Sequence, residues 1–316
     1  LVKESTMSYT SRNDDLIKLV KELNTEDSVW LLHVINKDTI EFESRIDIED
    51  EHDPQLMDKD IDKLNSIKDL NELKNYLIDG LKDKTETFSE TIMDLIEEYK
   101  EQLMIRSRDF SKYKTNRRLL SFALYKISFD NRDIYRQNPS ISNPYVRFLY
   151  IMFTYRKYYR SSRELERIER KHSEIISAKS LHFKNYDHPE FYKWAKTYID
   201  KNTSEFKEFN QIEFTPLQDA DFGIWVNSIF DIMYYANQHA YINLKKQLSN
   251  AWYQKSYQKN RKGREHHYFL TDLTKDLLKI LASKHNKNED RMIEHLINKC
   301  AIEESIIVDG KLVYSI

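Results

Sequence analysis

Apolar residues recur at helical spacing along most of this chain of 316 residues. Between residues 54 and 110 they fall three or four positions apart, which places them on one face of a helix; the first series is Leu64, Ile67, Leu70, Leu73, Leu77 and Leu81. Similar patterns cover 13–24, 145–180 and 224–260, the last as one long helix. Prolines and small polar residues interrupt the pattern at 138–145. The sequence therefore predicts a mainly α-helical protein.

Two short stretches instead favour β structure. Residues 28–48 contain two β-favouring runs around Asn36-Lys37-Asp38, which favours a hairpin. Residues 305–316 (SIIVDGKLVYSI) alternate around Asp309-Gly310, where a glycine accepts the positive φ of a tight turn. We therefore expect a β-hairpin at 305–316.

Composition excludes several classes of function. The sequence has four glycines, so neither a glycine-rich phosphate loop nor a dinucleotide-binding turn can be written from it. Cys300 is the single cysteine, which excludes an internal disulfide and a zinc site built on several thiolates; we expect it to pack inside a helical unit. The sequence contains no apolar run long enough to span a membrane. These features favour a cytoplasmic protein without a metal or cofactor.

Charge is distributed unevenly along the chain. The net charge is −2, so any affinity for nucleic acid must come from a local patch. No acidic residue occurs between Asp231 and Glu265, and the basic residues in this gap are Lys245, Lys246, Lys255, Lys259, Arg261, Lys262 and Arg264. Lysine and arginine neutralise phosphates, while the interleaved amides and tyrosines add neutral hydrogen bonds. The alternative interpretation is a solvated helix face followed by a basic linker.

A compact motif follows this basic segment. Residues 265–272 (EHHYFLTD) are a strand candidate, and 271–286 and 288–300 show helical patterns. The second helix has Asn288 at its N-cap. The side chains expected to face inward are Leu273, Leu277, Leu278, Leu281 and Ala282 in the first helix and Met292, Ile293, Leu296 and Ile297 in the second. Such a small unit cannot bury a core alone, which implies dimerisation.

This strand-helix-helix pattern over 264–300 resembles the ribbon-helix-helix family of DNA-binding proteins, the MetJ and Arc class. The resemblance implies that strands of two subunits pair into a ribbon in the major groove, and that the second helix offers its N-terminus to a phosphate. In this register the groove-facing residues are Glu265, His267 and Phe269, the core-facing ones are His266, Tyr268 and Leu270, and Lys287 and Asn288 lie at the phosphate. A plain helical hairpin is the alternative.

A second resemblance concerns Arg167 and His172, which are separated by four residues. This spacing resembles the Arg-x4–6-His signature of HEPN ribonucleases, in which the two side chains assist attack by a ribose 2′-hydroxyl. Ile168 stands where that family carries a polar residue. The alternative functions are therefore a HEPN-like ribonuclease of a toxin or defence system, with Arg167 and His172 catalytic, or a helical scaffold for protein interactions.

The sequence on balance favours a binding protein over an enzyme. We expect a helical N-terminal domain at 7–240 for oligomerisation, partner binding or sensing, a basic helix or linker at 241–263, the ribbon-helix-helix unit at 264–300 and the hairpin at 305–316. We expect a homodimer or higher homo-oligomer that binds double-stranded DNA in the cytoplasm or nucleoid, as a transcriptional regulator or DNA-organising factor. The expected DNA contacts are Lys255, Lys259, Arg261, Lys262, Arg264, His267, Phe269, Lys287 and Asn288.

Overall fold

The computed structural model of the chain describes residues 12–44, 53–106, 109–131, 140–159, 162–202, 209, 212, 214–260, 269–304, 307–308 and 311–312. Within these ranges the side chains of 44, 102–106, 156, 257–260, 307–308 and 311–312 are not described. Two compact units are present, the first reaching to Tyr253 and the second beginning at Gln254.

Helices account for nearly all of the regular structure in these ranges, which confirms the predicted helical character. In chain order they are α1 Arg12–Glu22, α2 Asp27–Ser44, α3 Pro54–Ser66, α4 Leu70–Leu81, α5 Glu86–Arg106, α6 Ser111–Thr115, α7 Arg117–Asp130, α8 Pro144–Thr154, α9 Arg156–Tyr159, α10 Arg163–Ala178, α11 Pro189–Lys201, α12 Asp219–Ala236, α13 Gln238–Asn260, α14 Asp272–Lys284 and α15 Glu289–Glu303. A short 3-10 turn covers Lys184–Tyr186. Within the described ranges, none of the helices combines the length and apolarity that crossing a membrane requires.

Several helices begin where the sequence supplies a side-chain cap. Asp53 accepts hydrogen bonds from the backbone N–H groups of Gln55 and Leu56, and Asn143 does the same at the start of α8. A proline follows each of these two caps, at the first helical position, where its missing N–H costs nothing. The predicted interruption near Pro144 is therefore the start of a helix.

The hairpin predicted within residues 28–48 is wrong, because α2 covers Asp27–Ser44. Residues 27–33 are all buried, so this part of the helix is surrounded by protein on every side. Trp30 stacks on Tyr99 of α5 with ring centroids 3.9 Å apart, and Asp27 accepts a hydrogen bond from the Tyr99 hydroxyl at 2.9 Å. Because every face of this segment is buried, the apolar residues 29–32 follow one another without the 3.6-residue period, which explains the strand-like pattern.

A buried carboxylate joins three helices in the first unit. Asp60 of α3 is fully buried and accepts hydrogen bonds from Asn36 Nδ2 at 2.7 Å and from the Tyr150 hydroxyl at 3.1 Å. His33 Nδ1 lies 2.6 Å from the same carboxylate. Because each partner comes from α2 or α8, this cluster fixes how those helices pack on α3.

The second unit is small. Its buried apolar side chains are Leu278, Ala282 and Met292, with Leu270, Leu281, Ile293 and Leu296 half-buried around them. These residues confirm most of the predicted inward faces. Leu273, Leu277 and Ile297 were also expected to face inward, but they are exposed. Cys300 is exposed as well, so its predicted packing role is wrong.

The turn between α14 and α15 closes the first of these helices with a Schellman motif. Asn286 adopts a positive φ of 51°, and its N–H donates to the Ser283 carbonyl at 3.1 Å. The N–H of Lys287 donates to the Ala282 carbonyl at 2.9 Å. Asparagine tolerates this left-handed conformation better than other non-glycine residues, so the chain turns here without glycine.

The predicted fold class needs correction in its β elements. Residues 265–268 of the proposed DNA-facing strand lie outside the described residues, and its remaining residues, 269–272, are not in a strand. The hairpin predicted at 305–316 is not a fold element either. Its described residues hold only an antiparallel pairing of Ile307–Val308 with Lys311–Leu312, two residues on each side. In the residues described, α14 and α15 of the second unit are therefore a helical pair.

Candidate nucleic-acid interface

Residues 238–260 of the acid-free segment form helix α13, which begins after a break at Asn237. This residue has an extended backbone, and its N–H still donates to the Met233 carbonyl at the end of α12. Its side-chain oxygen accepts the N–H of Ala240 at 3.0 Å, which starts α13. The single long helix expected over 224–260 is therefore two helices, divided by one asparagine that caps both.

One face of α13 is anchored in the core of the first unit. Its buried side chains are Tyr241, Leu244, Leu248 and Trp252, at intervals of three or four residues. The Trp252 ring lies 5.4 Å from Phe191 and 5.1 Å from Trp194 of α11, measured between ring centroids. This packing holds the first four turns of the helix in place.

The opposite face of α13 is exposed and carries amides. Asn243, Gln247 and Asn250 lie four and three residues apart, so they form one stripe along the helix, which we call the amide stripe. Exposed His239 precedes it at the same spacing, and exposed Lys246 lies beside it. No acidic residue occurs anywhere in α13. The stripe therefore offers hydrogen-bond donors and acceptors without a negative charge on its own helix.

A chain of buried polar contacts connects α13 to the core. Arg118 of α7 binds Asp231 of α12 with two hydrogen bonds of 2.8 and 2.7 Å. His182 Nε2 lies 2.8 Å from the same carboxylate, and His182 Nδ1 lies 3.2 Å from the Tyr241 hydroxyl. Lys245 Nζ then donates to the Tyr241 oxygen at 3.5 Å.

The direction of these hydrogen bonds follows from the pKa of His182. Burial lowers this pKa, which outweighs the opposing effect of Asp231, so the imidazole is neutral near pH 7. A neutral ring that donates from Nε2 to Asp231 must accept at Nδ1, and the donor there is the Tyr241 hydroxyl. Both ring nitrogens are then engaged, so His182 orients Tyr241 and has no nitrogen left for proton transfer to a substrate.

The predicted DNA contacts are spread over both units, and many lie outside the described residues. Arg261, Lys262, Arg264 and His267 are not described, nor is the side chain of Lys259. Lys255 is exposed near the end of α13. Phe269 is fully exposed. The structure therefore does not bring these residues together in one described site.

At the start of α15, where a phosphate was predicted to bind, the Asn288 side chain caps the helix. Asn288 is the N-cap as expected, and its side-chain oxygen accepts the N–H of Arg291 at 2.9 Å. Glu289 and Asp290 follow in the first turn. Their charges oppose a phosphate here, so Lys287 and Asn288 gain no support as anion ligands.

Arg167 and His172 both lie on α10 but have different environments. The Arg167 guanidinium contacts Asp130 at 2.8 Å and Glu164 at 2.7 Å. His172 is buried against Phe122, with ring centroids 5.5 Å apart, and burial lowers its pKa. Because the two residues are five positions apart on the helix, their side chains point in directions that differ by about 140° around its axis. This arrangement gives no support to a ribonuclease site.

Two features of the interface escaped the sequence analysis. The amide stripe could have been predicted from the sequence, because Asn and Gln recur at helical spacing at positions 243, 247 and 250. The contact between His182 and Asp231 spans 49 residues and no local pattern indicates it.

In comparisons with known proteins, no family model, curated protein or solved structure matches the chain.

Proposed function

We propose that the protein binds double-stranded DNA through the exposed face of α13 and the basic residues that follow it in sequence. The observation that carries this proposal is the acid-free helix, anchored on one face and lined with amides on the other. In this proposal α13 contacts the DNA, in place of the β-ribbon that the sequence predicted. An α-helix fits the width of the major groove, so this geometry is compatible with duplex recognition.

Charge gives the first argument. A carboxylate on the interface would repel phosphates, and 33 consecutive residues, 232–264, lack one in a chain that has 52 acidic residues. The seven lysines and arginines of the same segment supply local positive charge although the whole chain is slightly negative. Neutralising phosphates with such residues releases counterions, which makes binding strongly dependent on salt.

Hydrogen bonding gives the second argument. Asn and Gln side chains bind phosphate oxygens and sugars, and each can form a bidentate pair with adenine in the major groove. Asn243, Gln247 and Asn250 present three such groups along one helical face. Because Tyr241, Leu244, Leu248 and Trp252 fix the opposite face, little ordering of the backbone accompanies binding.

We further propose that a second copy of the chain covers the apolar surface of α14. Leu273, Leu277 and Ile280 are 71%, 51% and 63% exposed and lie at i, i+4 and i+7, which is the spacing of a helix seam. In an antiparallel pair, Asp272 and Asp276 of one helix would lie beside Lys279 and Lys284 of the other. The small core of the second unit favours such an association.

A dimer with two acid-free helices suits either a transcriptional regulator or a DNA-organising factor in the cytoplasm or nucleoid. The two roles differ in their preference among DNA sequences. Selection of tight binders from a random duplex pool separates them, because a regulator enriches a defined site and an organising factor does not.

The proposal is tested by fluorescence anisotropy of a labelled random duplex, titrated with the full chain at several salt concentrations. We expect the logarithm of affinity to fall linearly with the logarithm of salt concentration. Lys246→Glu places a negative charge beside the amide stripe and should weaken binding about tenfold or more and reduce the slope. Lys59→Glu, at an exposed position of α3, is the matched control and should leave both unchanged. Equal binding by the wild type and Lys246→Glu would exclude α13 as the interface.

A further inference from the structure

A cationic cavity lies between α13 and the segment that follows α10. Its volume is about 470 Å³, within the range of small-molecule sites. Residues 178–186 form one side, and Lys245 and Ser249 of α13 form the other. All of these residues belong to the first unit.

The charges that line this cavity have one sign. Lys179, Lys184 and Lys245 contribute three ammonium groups, while Asp and Glu are absent among the lining residues. The nearest carboxylate in the hydrogen-bonded chain is that of Asp231, which is fully buried and already bound by Arg118 and His182. Burial and the Lys179 charge both lower the pKa of Lys245, as expected when two cations are close without an anion between them.

Lys245 is held in position toward this cavity. Its ammonium donates to the Tyr241 hydroxyl at 3.5 Å and lies 5.9 Å from the centre of the Phe183 ring. Tyr241 is in turn fixed by His182. Lys179 has a competing structural explanation, because it caps the C-terminus of α10, where a cation is favourable. That explanation does not apply to Lys184 or Lys245.

Neutral hydrogen-bonding groups complete the lining. Ser180, Asn185 and Ser249 add hydroxyl and amide donors, and the half-buried Tyr186 adds a ring. Ammonium groups with neutral donors and no carboxylate match the chemistry of phosphate oxygens. The volume exceeds the need of a single phosphate.

We propose that this cavity binds a ligand with more than one phosphate group, held by Lys184 and Lys245 with Lys179 beside them. The phosphates come either from a free nucleoside polyphosphate or from the backbone of a nucleic acid. The proposal does not depend on DNA binding by the amide stripe. At about 100° per residue, Lys245 projects from α13 about 140–160° away from Asn243, Gln247 and Asn250, and Ser249 projects about 100–160° away from them.

The test uses isothermal titration calorimetry of the full chain with inorganic tripolyphosphate, ATP and a short DNA duplex. Lys184→Ala changes an exposed residue, and Lys245→Met keeps most of the buried stem. Each should weaken tripolyphosphate and ATP binding about tenfold or more if the ligand is free. Lys59→Ala is the control on a distant exposed helix position and should bind as the wild type does.

The two sources of phosphate give different results. Weakened binding of tripolyphosphate and ATP assigns the cavity to a free ligand. Weakened binding of DNA alone, with no measurable tripolyphosphate binding by the wild type, assigns it to a nucleic-acid backbone. If Lys184→Ala and Lys245→Met match Lys59→Ala for all three ligands, the cavity does not bind phosphate. Replacement of the amide stripe should leave tripolyphosphate binding intact, so the two proposals fail separately.

Discussion

The hydroxyl of Tyr241 lies 3.2 Å from Nδ1 of His182, and this contact joins the acid-free helix to the core of the first unit. On the far side of the imidazole, Nε2 lies 2.8 Å from Asp231, which also binds Arg118. The helix is therefore fixed by a polar chain as well as by apolar packing. Its position follows from residues on three other segments of the chain.

Tyr241→Phe should lower the free energy of unfolding by about 1–3 kcal/mol, because it leaves the buried Nδ1 of His182 without a donor. Urea unfolding measured by tryptophan fluorescence gives the change. Tyr198→Phe removes a hydroxyl at a half-buried position of α11 and serves as the control. Equal stability of Tyr241→Phe and Tyr198→Phe would show that the contact with His182 contributes nothing.

Asp60→Ala should be more damaging. The substitution removes a fully buried acceptor and leaves His33, Asn36 and Tyr150 without their shared partner. We expect a loss of about 3–5 kcal/mol in the free energy of unfolding. Asp58→Ala, at an exposed position of the same helix, should change stability by less than about 0.5 kcal/mol. Comparable losses in both variants would contradict the bridging role of Asp60.

Stability should also depend on pH through two buried histidines. Burial lowers the pKa of His172 and of His182 below the ordinary value of 6.5. As pH falls, the unfolded chain therefore binds protons before the folded chain does. The free energy of unfolding is largest above pH 6.5 and decreases as pH falls from there through the lowered pKa values.

Urea unfolding on either side of pH 6.5 measures this dependence. His172→Gln removes one of the two titrating groups and should show a smaller loss of stability in acid than the wild type. His239→Gln, at an exposed position, should behave as the wild type does. An unchanged acid dependence in His172→Gln would mean that His172 takes up its proton equally well in both states.

Self-association is tested at the apolar surface of α14. Leu277→Lys inserts a charge between Leu273 and Ile280, so we expect sedimentation equilibrium to show a shift from dimer toward monomer. Leu217→Lys changes an exposed leucine of the first unit and should leave the dimer intact. A wild-type chain that sediments as a monomer at all concentrations would exclude the proposed pairing.

The helices could be predicted wherever one face was apolar and the other polar. The series Leu64 to Leu81 was correct in its burial, apart from half-buried Ile67. It was wrong as one helix, because α3 ends at Ser66 and α4 begins at Leu70. The helix α2 was missed because its first part is buried on all sides, and an all-round apolar sequence resembles a strand. Leu273 and Leu277 were assigned inward because the pattern marks an apolar stripe without identifying what covers it.

The candidate interface was predictable only in part. The absence of acidic residues is a property of the sequence, and it marks the segment 232–264 that contains α13. The cavity was not predictable, because Lys179 and Lys184 line it together with Lys245, which lies about 60 residues later in the sequence. Asn237 also explains an error: a single capping residue divided one predicted helix into two, and no proline or glycine marked the division.

The central claim is that the amide stripe of α13 contacts DNA. Its most direct test is the anisotropy of a labelled duplex titrated with the triple variant Asn243→Ala, Gln247→Ala and Asn250→Ala. We expect affinity to fall about tenfold or more, since each lost hydrogen bond costs about 0.5–1.5 kcal/mol. A control with Gln55→Ala and Asn71→Ala, on exposed positions of α3 and α4, should bind as the wild type does. Equal affinity of the triple variant and this control would contradict the account.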